Sequence, residues 1–79
     1  MGRRKTPDIR ERFGFAVKAR REELGMTQEE LAESAGIHRT YVSDVERGSR
    51  NLGLANIDRL GAALRISLTD LFRRVESSA

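Results

Sequence analysis

The stretch over residues 27–47 constrains the fold more than any other part of the chain, because it specifies two short helices in close succession. Thr27 and Glu30 form a predicted capping box. The Thr27 hydroxyl accepts from the backbone N–H of Glu30, and the Glu30 carboxylate accepts from the backbone N–H of Thr27. Gly36 ends this helix, since glycine readily takes the left-handed conformation at a helix C-terminus. A second helix is predicted over about 39–47, where another glycine follows.

Three further helices are predicted around this pair. Thr6 is the predicted N-cap of a first helix over about 7–24, because Pro7 follows at a position where its missing N–H costs nothing. Gly53 opens a fourth helix, and Ser67 caps a fifth. Apolar residues keep a helical spacing in these segments, and no strand pattern competes. The predicted fold class is therefore all-α, a compact five-helix domain with short connections.

The size and charge of the chain limit its class. Its 79 residues predict one small domain over 7–76, preceded by a basic, flexible arm over 1–6. Fifteen Lys and Arg against twelve Asp and Glu give a net charge of +3, which suggests a polyanionic partner. With no cysteine and a single histidine, disulfides and the usual metal sites are excluded. No apolar run could span a bilayer, so the expected compartment is the cytoplasm.

The two central helices carry the signature of a helix-turn-helix. Ala32 is small where the two helices cross, and Val42 and Val45 face inward from the second one. Helical spacing places another set of side chains along the opposite stripe, free to enter a major groove. That stripe consists of Arg39, Thr40, Ser43, Asp44 and Arg47.

The segment MTQEELAESAGIHRTYVSDVERG resembles the Cro and repressor-type (XRE-like) helix-turn-helix family, and the resemblance covers about residues 10–73. More narrowly, HRTYVSDVERGSRNL resembles the controller proteins of restriction-modification systems. The resemblance implies a lambda-repressor-like DNA-binding fold. It also implies a homodimer, formed through the C-terminal helices, on short pseudo-palindromic operators in double-stranded DNA. Neighbouring dimers are then able to cooperate as a tetramer.

The same resemblance implies the DNA contacts. Arg39 opens the third helix, where it can make a bidentate contact to guanine. The predicted base-reading residues are Arg39, Thr40, Ser43 and Asp44. The predicted backbone-binding residues are Gln28, Tyr41, Arg47, Ser49, Arg50 and Asn51. Two assignments stay open: Asp44 either accepts from a cytosine amino group or holds Arg39 or Arg47, and the Tyr41 ring either contacts DNA or packs between helices.

Some residues are assigned local roles in the fold. The family pattern implies an ion pair between Arg21 and Glu46 that ties the first helix to the third. His38 stands where a Ser, Thr or Asp N-cap is expected, and Gly53 likewise replaces a hydroxyl cap. Arg65 occupies a left-handed turn after the fourth helix, where relatives commonly carry glycine.

The C-terminal helices carry more apolar side chains than so small a core can cover, which predicts a dimer interface. Its candidate residues are Leu54, Ile57, Ile66, Leu68, Leu71 and Phe72. The alternative is that these side chains close the core of the monomer.

The leading functional hypothesis is an autoregulatory, controller-like transcription regulator that needs no cofactor or small-molecule effector. A phage or plasmid repressor is the alternative within the same class, and an antitoxin or protein-interaction module is the alternative outside it. An enzyme has almost no support, because no catalytic motif is present. The acidic cluster of Glu29, Glu30 and Glu33 either serves capping and solubility or resembles the patch by which some repressors touch RNA polymerase.

Overall fold

The computed structural model describes residues 7–77, and within them the all-α, five-helix prediction is confirmed. The predicted basic arm over 1–6 lies outside the described residues. None of the helices in the described part is long and apolar enough to cross a membrane. The helices are α1 (Ile9–Glu23), α2 (Gln28–Ala35), α3 (Arg39–Glu46), α4 (Leu54–Ala63) and α5 (Leu68–Ser77).

The start of α1 differs from the prediction. Asp8, and not Thr6, is the N-cap: its side chain accepts from the backbone N–H of Arg10 at 2.8 Å. The Glu11 carboxylate in turn accepts from the Asp8 N–H at 3.2 Å, which completes a capping box. The Thr6 assignment is wrong because this box satisfies more backbone donors than a threonine preceding Pro7 would. Thr6 itself lies outside the described residues.

The boundaries of α2 and α3 agree with the predictions. The Thr27 hydroxyl accepts from the Glu30 N–H at 3.0 Å, and the Glu30 carboxylate accepts from the Thr27 N–H at 2.9 Å. Gly36 ends α2 with φ 72°, so the chain turns sharply into α3. His38 stands at the N-cap of α3, and its side chain makes no capping hydrogen bond. This agrees with the prediction that α3 is less well capped than a helix that begins with Ser, Thr or Asp.

The core contains side chains from all five helices. α1 packs against α3 and α5, while α2 packs against α3 and α4. Phe13 of α1 meets Phe72 of α5 with ring centroids 5.6 Å apart. The largest fully buried side chains are Val17, Leu31, Val42, Val45, Leu60, Leu64, Leu71 and Val75. This arrangement fixes α3 from its inner side and leaves its outer side free.

The turn between α4 and α5 contains the predicted left-handed arginine. Arg65 has φ 54°, a conformation that costs a non-glycine residue about 1 kcal/mol. The guanidinium of Arg20 holds this turn, since it donates to the carbonyls of Leu64 at 2.9 Å and Arg65 at 3.0 Å.

Replacing Arg65 with glycine is expected to raise the free energy of unfolding by about 0.5–1 kcal/mol, because glycine relieves the left-handed strain. Urea denaturation measures the change. Arg65→Ala is the matched control: it removes the same charged side chain but keeps the Cβ, so it should give no gain. Equal stability of the two variants would contradict the strain explanation.

Candidate DNA-binding surface

The outer side of α3 forms a continuous polar surface. Val42 and Val45 are buried against the core, so the helix cannot rotate without exposing them. On the opposite side Arg39 and Thr40 are exposed, Ser43 and Asp44 are half-buried, and Arg47 is exposed. The structure therefore brings the predicted stripe together on one face of one helix.

Asp44 organises the C-terminal half of this surface. Its carboxylate accepts from Arg47 Nη2 through one oxygen and from Arg50 Nη2, at 3.1 Å, through the other. Arg47 also donates to the Ser43 hydroxyl at 2.6 Å. The Ser49 hydroxyl donates to the Asp44 carbonyl at 3.2 Å. Of the alternatives for Asp44, the structure shows the ion pair with Arg47, and it adds a second pair with Arg50.

Tyr41 lies beside the same cluster. The Arg50 guanidinium sits over its ring, with the central carbon 4.4 Å from the ring centroid. The Tyr41 hydroxyl accepts from Asn56 Nδ2 of α4 at 2.9 Å. Asn56 fixes the ring, and sequence reasoning missed this residue. The available signal was its i, i+4 spacing to the buried Leu60.

The Arg21–Glu46 ion pair ties α1 to α3 beneath the surface. Arg21 donates to the Glu46 carboxylate from Nε at 2.7 Å and from Nη2 at 3.1 Å. Both groups are removed from water, with 11% and 4% of their side-chain surfaces exposed. The hydrogen bonds to Glu46 raise the pKa of Arg21 above its ordinary value. The predicted structural role of Arg21 is thus confirmed.

Gln28 connects this pair to the outer surface. Its amide nitrogen donates to Glu46 Oε1 at 2.9 Å, and its amide oxygen accepts from Arg39 Nη1 at 3.4 Å. Arg39 Nε also lies 3.9 Å from a carboxylate oxygen of Glu29. Gln28, the first residue of α2, therefore contacts Arg39, the first residue of α3. This contact brings the N-termini of the two helices together on the side that would face a DNA groove.

The polar segment that follows α3 completes the surface. Ser49, Arg50 and Asn51 are exposed there, next to the end of α3. Arginine, serine and asparagine side chains are common donors to DNA phosphates. Within residues 7–77, no group of three or more His, Asp and Glu side chains is placed to hold a metal ion.

The candidate dimer residues differ in their surroundings and exposure. Ile57 and Phe72 line a shallow cavity of about 90 Å³ together with Ile9 and Leu52. Leu54 is 85% exposed, and Leu68 is partly exposed. Ile66, by contrast, lines a different groove, among arginines.

The prediction that Leu71 contacts a partner is wrong. Its side chain is fully buried in the core of the monomer, so it offers no surface to a second chain. Helical spacing placed it on the apolar side of α5, and at this position that side joins the core of the monomer.

Comparison with known proteins agrees with this geometry. The family HTH_3, described as helix-turn-helix, matches residues 17–71. Control protein C.BamHI of Bacillus amyloliquefaciens is 45% identical over 67 residues, covering 84% of this chain and 83% of that protein. Control protein C.MunI of a Mycoplasma species is 40% identical over 70 residues, covering 87% and 95%.

A solved structure shows the same fold on DNA. It is the restriction-modification controller protein C.Esp1396I, a tetramer in complex with its natural 35-base-pair operator. The TM-score is 0.85 at 33% identity, and the match covers 91% of this chain and 95% of that one. The chain therefore belongs to the HTH_3 helix-turn-helix family and is a DNA-binding transcriptional regulator.

Proposed function

We propose that this protein binds a pseudo-palindromic operator as a homodimer and regulates its own promoter, in the manner of a restriction-modification controller. The observation that carries the proposal is the outer side of α3. Buried valines hold the helix in place, and five polar side chains project together from the other side. Such a helix fits a major groove and presents donors and acceptors to base edges.

The proposal divides the contacts into two kinds. Arg39 is the principal base-reading residue, because it is exposed at the start of α3 and has the fork geometry that matches guanine. The proposed base-reading set is Arg39, Thr40, Ser43 and Asp44. Contacts to the DNA backbone are assigned to Gln28, Tyr41, Arg47, Ser49, Arg50 and Asn51. The second set positions the protein on the duplex, and the first set selects the sequence.

The homodimer is supported by apolar surface near the C-terminal helices. Leu54 is largely exposed, and the cavity lined by Ile57, Phe72 and Ile9 offers a place for a partner's side chain. A dimer would set two α3 helices about one turn of DNA apart, roughly 34 Å. Two dimers on one operator are part of the proposal, supported by the tetramer of C.Esp1396I on its operator.

Protein concentration is the proposed regulatory signal, without a small-molecule effector or catalytic activity. Weak dimerisation makes operator occupancy rise steeply with concentration. We expect the protein to act in the cytoplasm, at the nucleoid when it is bound. A contact between RNA polymerase and the exposed carboxylates of Glu29, Glu30 and Glu33 belongs to the same proposal. Transcription from the bound site with purified polymerase tests whether occupancy activates.

Selection from a pool of random duplexes tests the proposed function. The purified protein is mixed with the pool, the bound fraction is sequenced, and the stoichiometry on the recovered site is measured by sedimentation. We expect a two-fold symmetric motif with half-sites about 10 base pairs apart, occupied by two chains. Failure to enrich any motif would overturn the proposal and favour a protein-interaction module built on the same fold.

A further inference from the structure

Asp44 is a carboxylate placed in the middle of a surface that must approach the phosphates of DNA. It lies on α3 one turn after Arg39 and Thr40, on the side that faces away from the core. A negative charge at this position repels phosphate, so its presence there calls for a physical explanation.

The contacts of Asp44 supply that explanation. One carboxylate oxygen binds the Arg47 guanidinium and the other binds the Arg50 guanidinium. The two guanidiniums cover the carboxylate, so only 21% of the Asp44 side chain is exposed. The side chains of Arg47 and Arg50 are more accessible, with 62% and 43% of their surfaces exposed. Arg50 is further fixed over the Tyr41 ring. The Asp44 carboxylate therefore holds two guanidiniums that would otherwise be available to bind DNA phosphates.

These pairs lower the affinity for DNA of arbitrary sequence. The local charge of the three groups is +1 where two unpaired arginines would carry +2. Non-specific binding is driven almost entirely by cations that replace counterions on the backbone, so every neutralised arginine weakens it. When the arginines do turn to phosphates, Asp44 loses its partners and is left beside the DNA.

Every base pair presents one exocyclic amino group in the major groove, and its place there depends on the identity and orientation of the pair. The released carboxylate is satisfied only where this hydrogen-bond donor lies within its reach. Cytosine N4 is the usual partner of an acidic side chain. At a base pair whose amino group lies out of reach, the carboxylate would face acceptors and would lose its arginine partners without replacement, which weakens binding.

We propose that Asp44 is a specificity-determining residue: it holds Arg47 and Arg50 in the free protein and permits tight binding only where a base pair places its amino group, typically cytosine N4, opposite the carboxylate. The inference deepens the proposed function and rests on it. A single carboxylate then raises the ratio between specific and non-specific affinity.

Asp44→Asn tests the inference, because it keeps the shape of the side chain and removes its charge. Asp70→Asn is the matched control. Asp70 forms the same kind of pair, with Arg73 three residues later at 2.9 Å, on α5, and its substitution changes the net charge by the same amount. Affinities for the selected site and for a scrambled duplex are measured at two salt concentrations, after thermal unfolding has shown that both variants fold.

Asp44→Asn is expected to bind the scrambled duplex about 5- to 10-fold more tightly at low salt, with a salt slope steeper by about one. It should also lose the preference for one base pair in each half-site. Asp70→Asn should change either affinity less than about twofold. Equal effects of the two variants would overturn the inference, because the change in affinity would then come from the net charge and not from the position of Asp44. A wild-type protein with no preferred site would overturn the proposed function itself.

Discussion

Replacing Gly14 with alanine is expected to lower the free energy of unfolding by about 3 kcal/mol. Gly14 lies where α1 crosses α3, and an added Cβ would stand 2.3 Å from the Val45 carbonyl oxygen and 2.8 Å from that of Glu46. Both atoms belong to the backbone, so the clash is relieved only if the helices separate. For a domain of this size the loss is a large part of the total stability.

Gly61→Ala is the control for this prediction. Gly61 is also a buried helical glycine, but its nearest obstacle is Leu68 Cδ2 at 2.8 Å, the end of a flexible side chain that can move. The gain in helix propensity should offset the adjustment, leaving stability nearly unchanged. Urea denaturation of both variants gives the comparison. A Gly14 variant as stable as the Gly61 variant would contradict the close approach of α1 and α3.

Replacing Glu46 with alanine is expected to cost about 3–5 kcal/mol, because it leaves the Arg21 guanidinium buried without its partner. The carboxylate receives two hydrogen bonds from Arg21 and one from Gln28, so one truncation abandons three donors. The free energy of unfolding from urea denaturation measures the loss.

A double substitution separates the pair from its surroundings. Arg21→Met combined with Glu46→Leu removes both charges and restores apolar contact, so it should recover most of the loss caused by Glu46→Ala. If Glu46→Ala alone is as stable as the wild type, the ion pair does not tie α1 to α3. A double variant no more stable than Glu46→Ala would show that the unpaired cation does not account for the cost.

The elements that could be predicted from the sequence are those with a local signature. The capping box at Thr27 and the glycine turn at Gly36 each depend on residues within a few positions of one another. The left-handed turn at Arg65 was instead implied by the glycine that relatives commonly carry at that position. The outer stripe of α3 followed from periodicity, because buried valines leave only one side for polar residues. The Arg21–Glu46 pair came from resemblance to a family and not from spacing.

The features that could not be predicted depend on competition between two possible N-cap residues or on contacts between residues far apart in the sequence. Thr6 and Asp8 are both residues that commonly cap helices. Asp8 is favoured because its backbone N–H also donates to the Glu11 carboxylate, which completes a capping box. Periodicity placed Leu71 on the apolar side of α5 but did not show that this position is fully buried within the monomer. The bond between Asn56 and Tyr41 joins separate helices, so the spacing of Asn56 to Leu60 indicates its inward side but not its partner.

The most direct test of sequence reading by α3 is a base-by-base binding profile. Affinities are measured for every single base-pair change in the selected site, with the wild type, Arg39→Ala and, as a control, Arg73→Ala. Arg73 is an exposed arginine on α5, away from the outer side of α3. We expect Arg39→Ala to lose about 1–3 kcal/mol of discrimination at one position of each half-site and to keep the rest of the profile. An unchanged profile, or an equal loss at every position, would contradict base reading by Arg39.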